Sequence, residues 1–182
     1  GTPTLALSPA QLAQDGDVLG RIVTPFQLAS LTPLTVAQAI GLSPALLPRV
    51  TGGLTVADTA AAVGANLLGL QSLAAAWELA QITLTDPGTP AIPVLATLLA
   101  LTAPALLKIA GPFQLSVTGA LSAAQAAALP SRLAGSVTGG IAVVDSAAGL
   151  AAAFSGLGAN QAAIAGITLT DPGTPALVLA PA

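Results

Sequence analysis

The sequence predicts an α/β fold: a solenoid of about six strand–turn–helix coils, 27–32 residues each, with a parallel sheet along one side. The nine residues ITLTDPGTP at 82–90 return at 167–175. Equivalent residues lie 87 positions apart from Gly1/Gly88 to Asp58/Asp145, and 85 apart from Ile167 onward. Two residues are therefore missing from the second half, in a stretch that we interpret as a helix. A unit of this size typically buries its apolar face by stacking on the next unit.

A shorter rhythm appears within the 87-residue repeat. A β-branched residue followed by a strand-like stretch recurs at steps of 28, 32, 27, 28 and 30 residues, at Ile22, Val50, Ile82, Ile109, Val137 and Ile167. We therefore expect a first long repeat at 1–87, a second at 88–172 and the start of a third at 173–182. Each long repeat holds three coils, and together they form one continuous solenoid.

The first coils begin with a strand and a capped helix. Residues 4–7 form the strand, Ser8 is the N-cap, Pro9 takes the first helical position, and the helix ends near Arg21. The next unit has a strand at 26–28 and a helix at 34–47, interrupted at 43–44. Its counterpart has a strand at 113–117 and a helix that begins near Ser122 and breaks at Pro130.

The third unit begins with a Gly-rich turn at 51–53 and a strand that ends at Asp58. Apolar residues after Asp58 recur at the spacing of one helix face, so Asp58 is predicted as the helix N-cap. Asp145 repeats the arrangement. Arg21, Arg49 and Lys108 each precede a strand, where a cation complements the negative end of the preceding helix.

The repeated nonapeptide predicts a strand followed by a tight turn. Proline is preset for the second turn position, and glycine tolerates the left-handed third position. The predicted turn and cap residues of both repeats are Asp58, Asp86, Pro87, Gly88, Asp145, Asp171, Pro172 and Gly173. A second extended segment is expected at 91–95.

The composition argues against several function classes. Charged residues make up 6% of the chain, the net charge is −3, and Cys and His are absent. These features argue against disulfides, thiolate or imidazole metal sites, nucleic-acid binding and His-dependent catalysis. We expect no enzyme activity, cofactor or metal. Proline interruptions between 87 and 107 argue against membrane insertion, and the four aspartates are better explained as turn and cap residues than as calcium ligands.

Two polar features have a competing functional interpretation. Alternating threonines at 83, 85, 168 and 170 could present hydroxyls to water or sugar, but they occur in only one coil of three. Glu78, beside the single Trp77, could act as an acid, but no partner for it is evident.

Several segments together resemble the Ala/Thr/Asp-rich repeats of very large secreted bacterial surface proteins, grouped with hemolysin-type and adhesin-like repeat proteins. They are VADTAA at 56–61 with VVDSAA at 143–148, the nonapeptides, and PFQL at 25–28 and 112–115. The resemblance implies export, an extracellular or cell-surface location, and a mechanical or adhesive role. The Gly-Gly-x-Gly-x-Asp calcium motif of hemolysin-type repeats is missing, so calcium binding is not carried over.

The leading hypothesis is a non-catalytic structural or adhesive module of a secreted bacterial surface, filament or matrix protein. Its expected partners are further copies of the chain or neighbouring repeats of the same chain, because exposed strand edges at terminal coils can pair. The alternative is an adhesin module that binds carbohydrate or a cell surface through one solenoid face. A third hypothesis is association with lipid.

Overall fold

The computed structural model describes residues 1–30 and 32–178 and confirms the predicted mixed α/β class. Most helices and strands are short, and groups of one or two helices alternate with groups of one to three strands. The strands are β1 (Thr4–Leu7), β2 (Gln27–Ser30), β3 (Leu54–Asp58), β4 (Leu79–Leu84), β5 (Ala91–Leu95), β6 (Ile109–Ala110), β7 (Gln114–Thr118), β8 (Ala120–Leu121), β9 (Val137–Thr138), β10 (Ile141–Asp145) and β11 (Ile164–Leu169). The α-helices are α1 (Pro9–Gln14), α2 (Gly16–Leu19), α3 (Val36–Ile40), α4 (Ala60–Ala65), α5 (Leu67–Ala75), α6 (Ala96–Leu99), α7 (Ala103–Leu106), α8 (Ala123–Ala127), α9 (Ser131–Ala134) and α10 (Ala147–Ala159).

The strands form several short parallel sheets. Their orders are β1-β2, β3-β4-β6, β5-β7-β9 and β8-β10-β11. Parallel pairing requires a crossover between paired strands, and helices and turns supply it here. Because strands pair with partners one crossover away, each sheet grows by adding successive segments of the chain.

The 87-residue repeat of the sequence is also a repeat of backbone pairing. Thr4↔Gln27 returns as Ala91↔Gln114, Leu28↔Val50 as Leu115↔Val137, and Leu34↔Val56 as Leu121↔Val143. Val56↔Ile82 returns as Val143↔Ile167, with the shorter offset at its second residue. Equivalent residues of the two halves therefore have equivalent neighbours.

The predicted coil length of 27–32 residues is wrong for most of the pairings. Paired residues such as Leu28 and Val50 lie 22 positions apart, and among the predicted steps only Ile82↔Ile109 is a strand pairing. The reason is that each long repeat contains two separate sets of strands. Val50 belongs to the set of β1 and β2, whereas Ile82 belongs to the set of β3 and β6. The predicted rhythm combined residues from both sets.

The predicted start of the first helix is confirmed, but its length is not. Ser8 accepts a hydrogen bond from the Gln11 backbone N–H, and the Gln11 side chain accepts one from the Ser8 N–H, which is a capping box. Helical structure is interrupted at Asp15, the residue between α1 and α2, and ends at Leu19. Arg21 therefore lies two residues beyond it.

The helix predicted over 34–47 is also shorter. It is limited to α3, which begins after the N-cap Thr35, while a 3₁₀ turn at Leu47–Arg49 follows separately. Arg49 lies in the last turn of that segment, as predicted. Ser122 is the N-cap of α8, so the predicted start of the corresponding helix is confirmed.

The two-residue difference between the repeats lies near the carboxyl end of a helix. Gly69 in α5 and Gly156 in α10 occupy equivalent places: an added Cβ would lie 2.9 Å from Ile40 Cγ2 in the first case and 2.8 Å from Ala127 Cβ in the second. The offset is thus still 87 there and becomes 85 at the following strand. Trp77, in the extra segment, has a φ of 63° and is 88% exposed. The insertion therefore leaves the pairing of the following strand unchanged.

The chain divides into two compact units that do not coincide with the sequence repeats. The first comprises 1–90 and 104–112, and the second comprises 91–103 and the residues from Phe113 onward. Leu34, Leu54 and Leu70 are buried in the first unit, and Leu115, Leu121 and Leu133 in the second. The repeat boundaries at 87/88 and 172/173 stay predictions. Of the predicted third repeat at 173–182, residues 179–182 lie outside the described residues. Within the described residues, no helix is long and apolar enough to cross a membrane.

Candidate functional site

The four repeated aspartates bind the amino ends of helices in neighbouring chain segments. Asp58 Oδ2 accepts the Val36 N–H at 2.9 Å, and Asp86 Oδ2 accepts the Ala60 N–H at 2.6 Å. Asp145 and Asp171 repeat these contacts with the N–H groups of Ala123 and Ala147, at 2.9 and 2.5 Å. In each case the donor is the first residue of a helix, where backbone N–H groups lack an intrahelical partner and favour a negative charge.

The prediction that Asp58 and Asp145 are helix N-caps is therefore wrong by one residue. The N-caps of α4 and α10 are Thr59 and Ser146, one residue later, and their hydroxyls accept the usual backbone N–H. The preceding aspartate accepts the N–H of this N-cap through Oδ1, at 2.8 Å in both repeats. The second oxygen, Oδ2, binds the first residue of another helix. The residue spacing within one segment could not predict this contact.

The predicted tight turn is present after β4, and its copy follows β11. Gly88 and Gly173, which follow Pro87 and Pro172, have φ of 75° and 77°, in the left-handed region that glycine tolerates. Asp86 and Asp171 begin these turns. The turn thus aims each carboxylate at the helix of the preceding segment.

The remaining candidate polar residues do not converge on a reaction centre within the described residues. Thr83 is exposed, but its neighbours across the strands are Ala57 and Ala110, so the hydroxyls do not continue across the sheet. Thr168 lies beside Val144. Glu78 contacts β3 through its backbone: the Glu78 carbonyl accepts a hydrogen bond from the Leu54 N–H at 2.6 Å.

Sequence reasoning missed two contacts between arginine and phenylalanine. The Arg49 guanidinium lies 4.3 Å from the ring centre of Phe26, and that of Arg132 lies 5.6 Å from the ring centre of Phe113. The two phenylalanines are repeat equivalents, but the two arginines are not. A search for equivalent charges therefore could not have found this pair. The shared Pro-Phe-Gln-Leu setting was the only available signal.

The outer edge of β11 is more exposed than the equivalent edge in the first repeat. Ile167 is 44% exposed, whereas its equivalent Ile82 is 0% exposed. Phe154 is 47% exposed, whereas Leu67 at the same repeat position is 2% exposed. These residues line a surface pocket of about 290 Å³ together with Leu157, Gly158, Gln161 and Ile164.

A short segment of the first unit covers the equivalent edge in the first repeat. Ile82 of β4 pairs with Ile109 of β6, and the Ile82 N–H donates to the Lys108 carbonyl at 2.9 Å. The Ala105 N–H donates to Oε1 of Gln71 on α5 at 3.2 Å. We call the surface of Phe154, Leu157, Ile164 and Ile167 the open edge.

No protein-family model, curated protein or solved structure matches this chain.

Proposed function

We propose that the chain is a non-catalytic structural repeat module of a secreted bacterial surface, filament or matrix protein, and that it assembles by stacking further copies of its repeat. The observation that carries the proposal is the return of the same parallel pairings 87 residues along the chain. A fold that extends by pairing each segment with the next has no intrinsic end. We therefore propose that the coils form a solenoid.

The character of the surface also supports assembly rather than chemistry. The chain of 182 residues has seven acidic and four basic residues, so little charge repulsion opposes association. Four of the acidic residues bind helix amino ends. The extracellular location is taken from the resemblance to secreted surface repeats, and it remains part of the proposal.

The size distribution of the purified chain as a function of concentration tests this function. Light scattering and negative-stain electron microscopy should reveal regular linear particles whose length grows with concentration. A chain that remains monomeric at millimolar concentration would contradict the proposal. If that monomer also bound immobilised glycans, the carbohydrate-binding alternative would replace it.

A further inference from the structure

We propose that the open edge binds residues 16–23 of a second copy, in the register that joins β4 to β6, so that copies associate head to tail. This inference rests on the proposed function, because it specifies which surfaces meet when copies stack. The chain already makes the equivalent contact once, between β4 and β6.

The repeat identifies the matching segment. Residues 104–110 cover the edge of β4 in the first unit, and their equivalents 87 positions earlier are residues 17–23. Both regions fold alike. The helices α2 and α7 are each four residues long and begin at equivalent positions, Gly16 and Ala103. The Arg21 N–H donates to the Val18 carbonyl at 3.1 Å, as the Lys108 N–H donates to the Ala105 carbonyl at 3.0 Å. The segment is thus already shaped for the contact.

Two apolar residues of this segment are more exposed than their equivalents. Val18 is 64% exposed, and its equivalent Ala105 is 0% exposed. Ile22 is half-buried, and its equivalent Ile109 is 1% exposed, whereas Val23 is exposed like its equivalent Ala110. The segment and the open edge therefore expose the two sides of one contact, which is buried where the first unit forms it.

The open edge has a smaller residue than the first repeat at the position that would face the larger residue of the segment. Gly158 stands where Gln71 stands in the first repeat, and a Cβ added to Gly158 would meet no atom within 4 Å. Val18 would stand where Ala105 stands, opposite this position. The small residue on one surface leaves space for the larger residue on the other.

The backbone of the open edge is oriented for the same pairing. The Thr170 N–H donates to the Asp145 carbonyl of β10. Since N–H groups alternate in direction along a strand, the Ile167 N–H faces away from β10. In the proposed register this N–H donates to the Arg21 carbonyl, Ile167 pairs with Ile22, and Thr168 pairs with Val23.

Sedimentation velocity over a concentration series is the first test. We expect the wild-type chain to associate reversibly, and Val18→Glu to weaken association at least tenfold because it places a charge opposite the apolar pocket. Ile167→Glu should have the same effect. Leu68→Glu is the matched control, because Leu68 is 51% exposed on α5 and lies outside both surfaces. Circular dichroism of each variant establishes that the fold is retained. If Ile167→Glu unfolds, Val18→Glu carries this test.

Disulfide trapping tests the register. The chain contains no cysteine, so Val23→Cys protein mixed with Thr168→Cys protein should form a mixed dimer on oxidation, since adjacent strands bring Cα atoms within disulfide reach. A mixture of Val23→Cys with Leu95→Cys should not. Association that persists in Val18→Glu and gives no selective mixed dimer would overturn this inference and leave the proposed function standing. Absence of association in the wild-type chain would overturn both.

Discussion

Replacing Asp145 tests whether a carboxylate that binds two backbone N–H groups stabilises the second unit. Oδ1 accepts the Ser146 N–H at 2.8 Å, and Oδ2 accepts the Ala123 N–H at 2.9 Å. Hydrogen bonds to a charged group contribute about 1.5–3 kcal/mol each, and the half-buried position places these at the lower end. Asp145→Ala should therefore lower the free energy of unfolding by about 2–4 kcal/mol.

The isosteric variant separates the two hydrogen bonds. Asp145→Asn keeps one acceptor oxygen and loses the charge, so it should cost about half as much, about 1–2 kcal/mol. Asp17→Ala is the control, because Asp17 is exposed on α2. It should change the free energy of unfolding by less than about 0.5 kcal/mol.

Urea denaturation followed by far-UV circular dichroism is the suitable assay. Fluorescence is less informative because Trp77 is the single tryptophan and is already exposed in the folded chain. With an expected stability of about 5–15 kcal/mol, the loss is measurable from the urea midpoint and slope. A loss for Asp145→Ala no larger than that for Asp17→Ala would refute the reasoning.

Two further comparisons test packing. Gly156→Ala should destabilise by about 1–3 kcal/mol because the new Cβ would lie 2.8 Å from Ala127 Cβ, whereas Gly158→Ala, with no atom within 4 Å, should stabilise the helix by about 0.5–1 kcal/mol. Equal effects in chemical denaturation would contradict the contact. Ile82→Ala should cost about 2–5 kcal/mol and Ile167→Ala about half of that, because Ile167 is already partly exposed. Thermal melts at low concentration compare the two, and an equal loss would argue against the open edge.

The repeat was the most informative feature of the sequence. The 87-residue offset alone matches Thr4 and Gln27 to Ala91 and Gln114, and the structure gives both pairs the same strand neighbours. Local chemistry also predicted the Ser8 cap and the left-handed Gly88, because capping and turn geometry depend on a few adjacent residues.

Features that depend on distant neighbours could not be predicted. The two strand sets were merged because a β-branched residue looks the same in either set, as Val50 and Ile82 do. Aspartate before Thr59 suggested a cap on its own helix, whereas its second oxygen binds Val36, 22 positions earlier. Nothing along the chain indicates which helix lies beside a given strand end.

The crossed arrangement of carboxylates and helices makes neighbouring segments depend on one another. The first N–H of α10, that of Ala147, donates to the carboxylate of Asp171, which follows β11 in the chain. Shortening the chain to a residue before Asp171 would thus disturb a helix that the deletion never reaches. Removing one segment should therefore destabilise the helix of the segment before it, so the module should lose more structure than the piece removed.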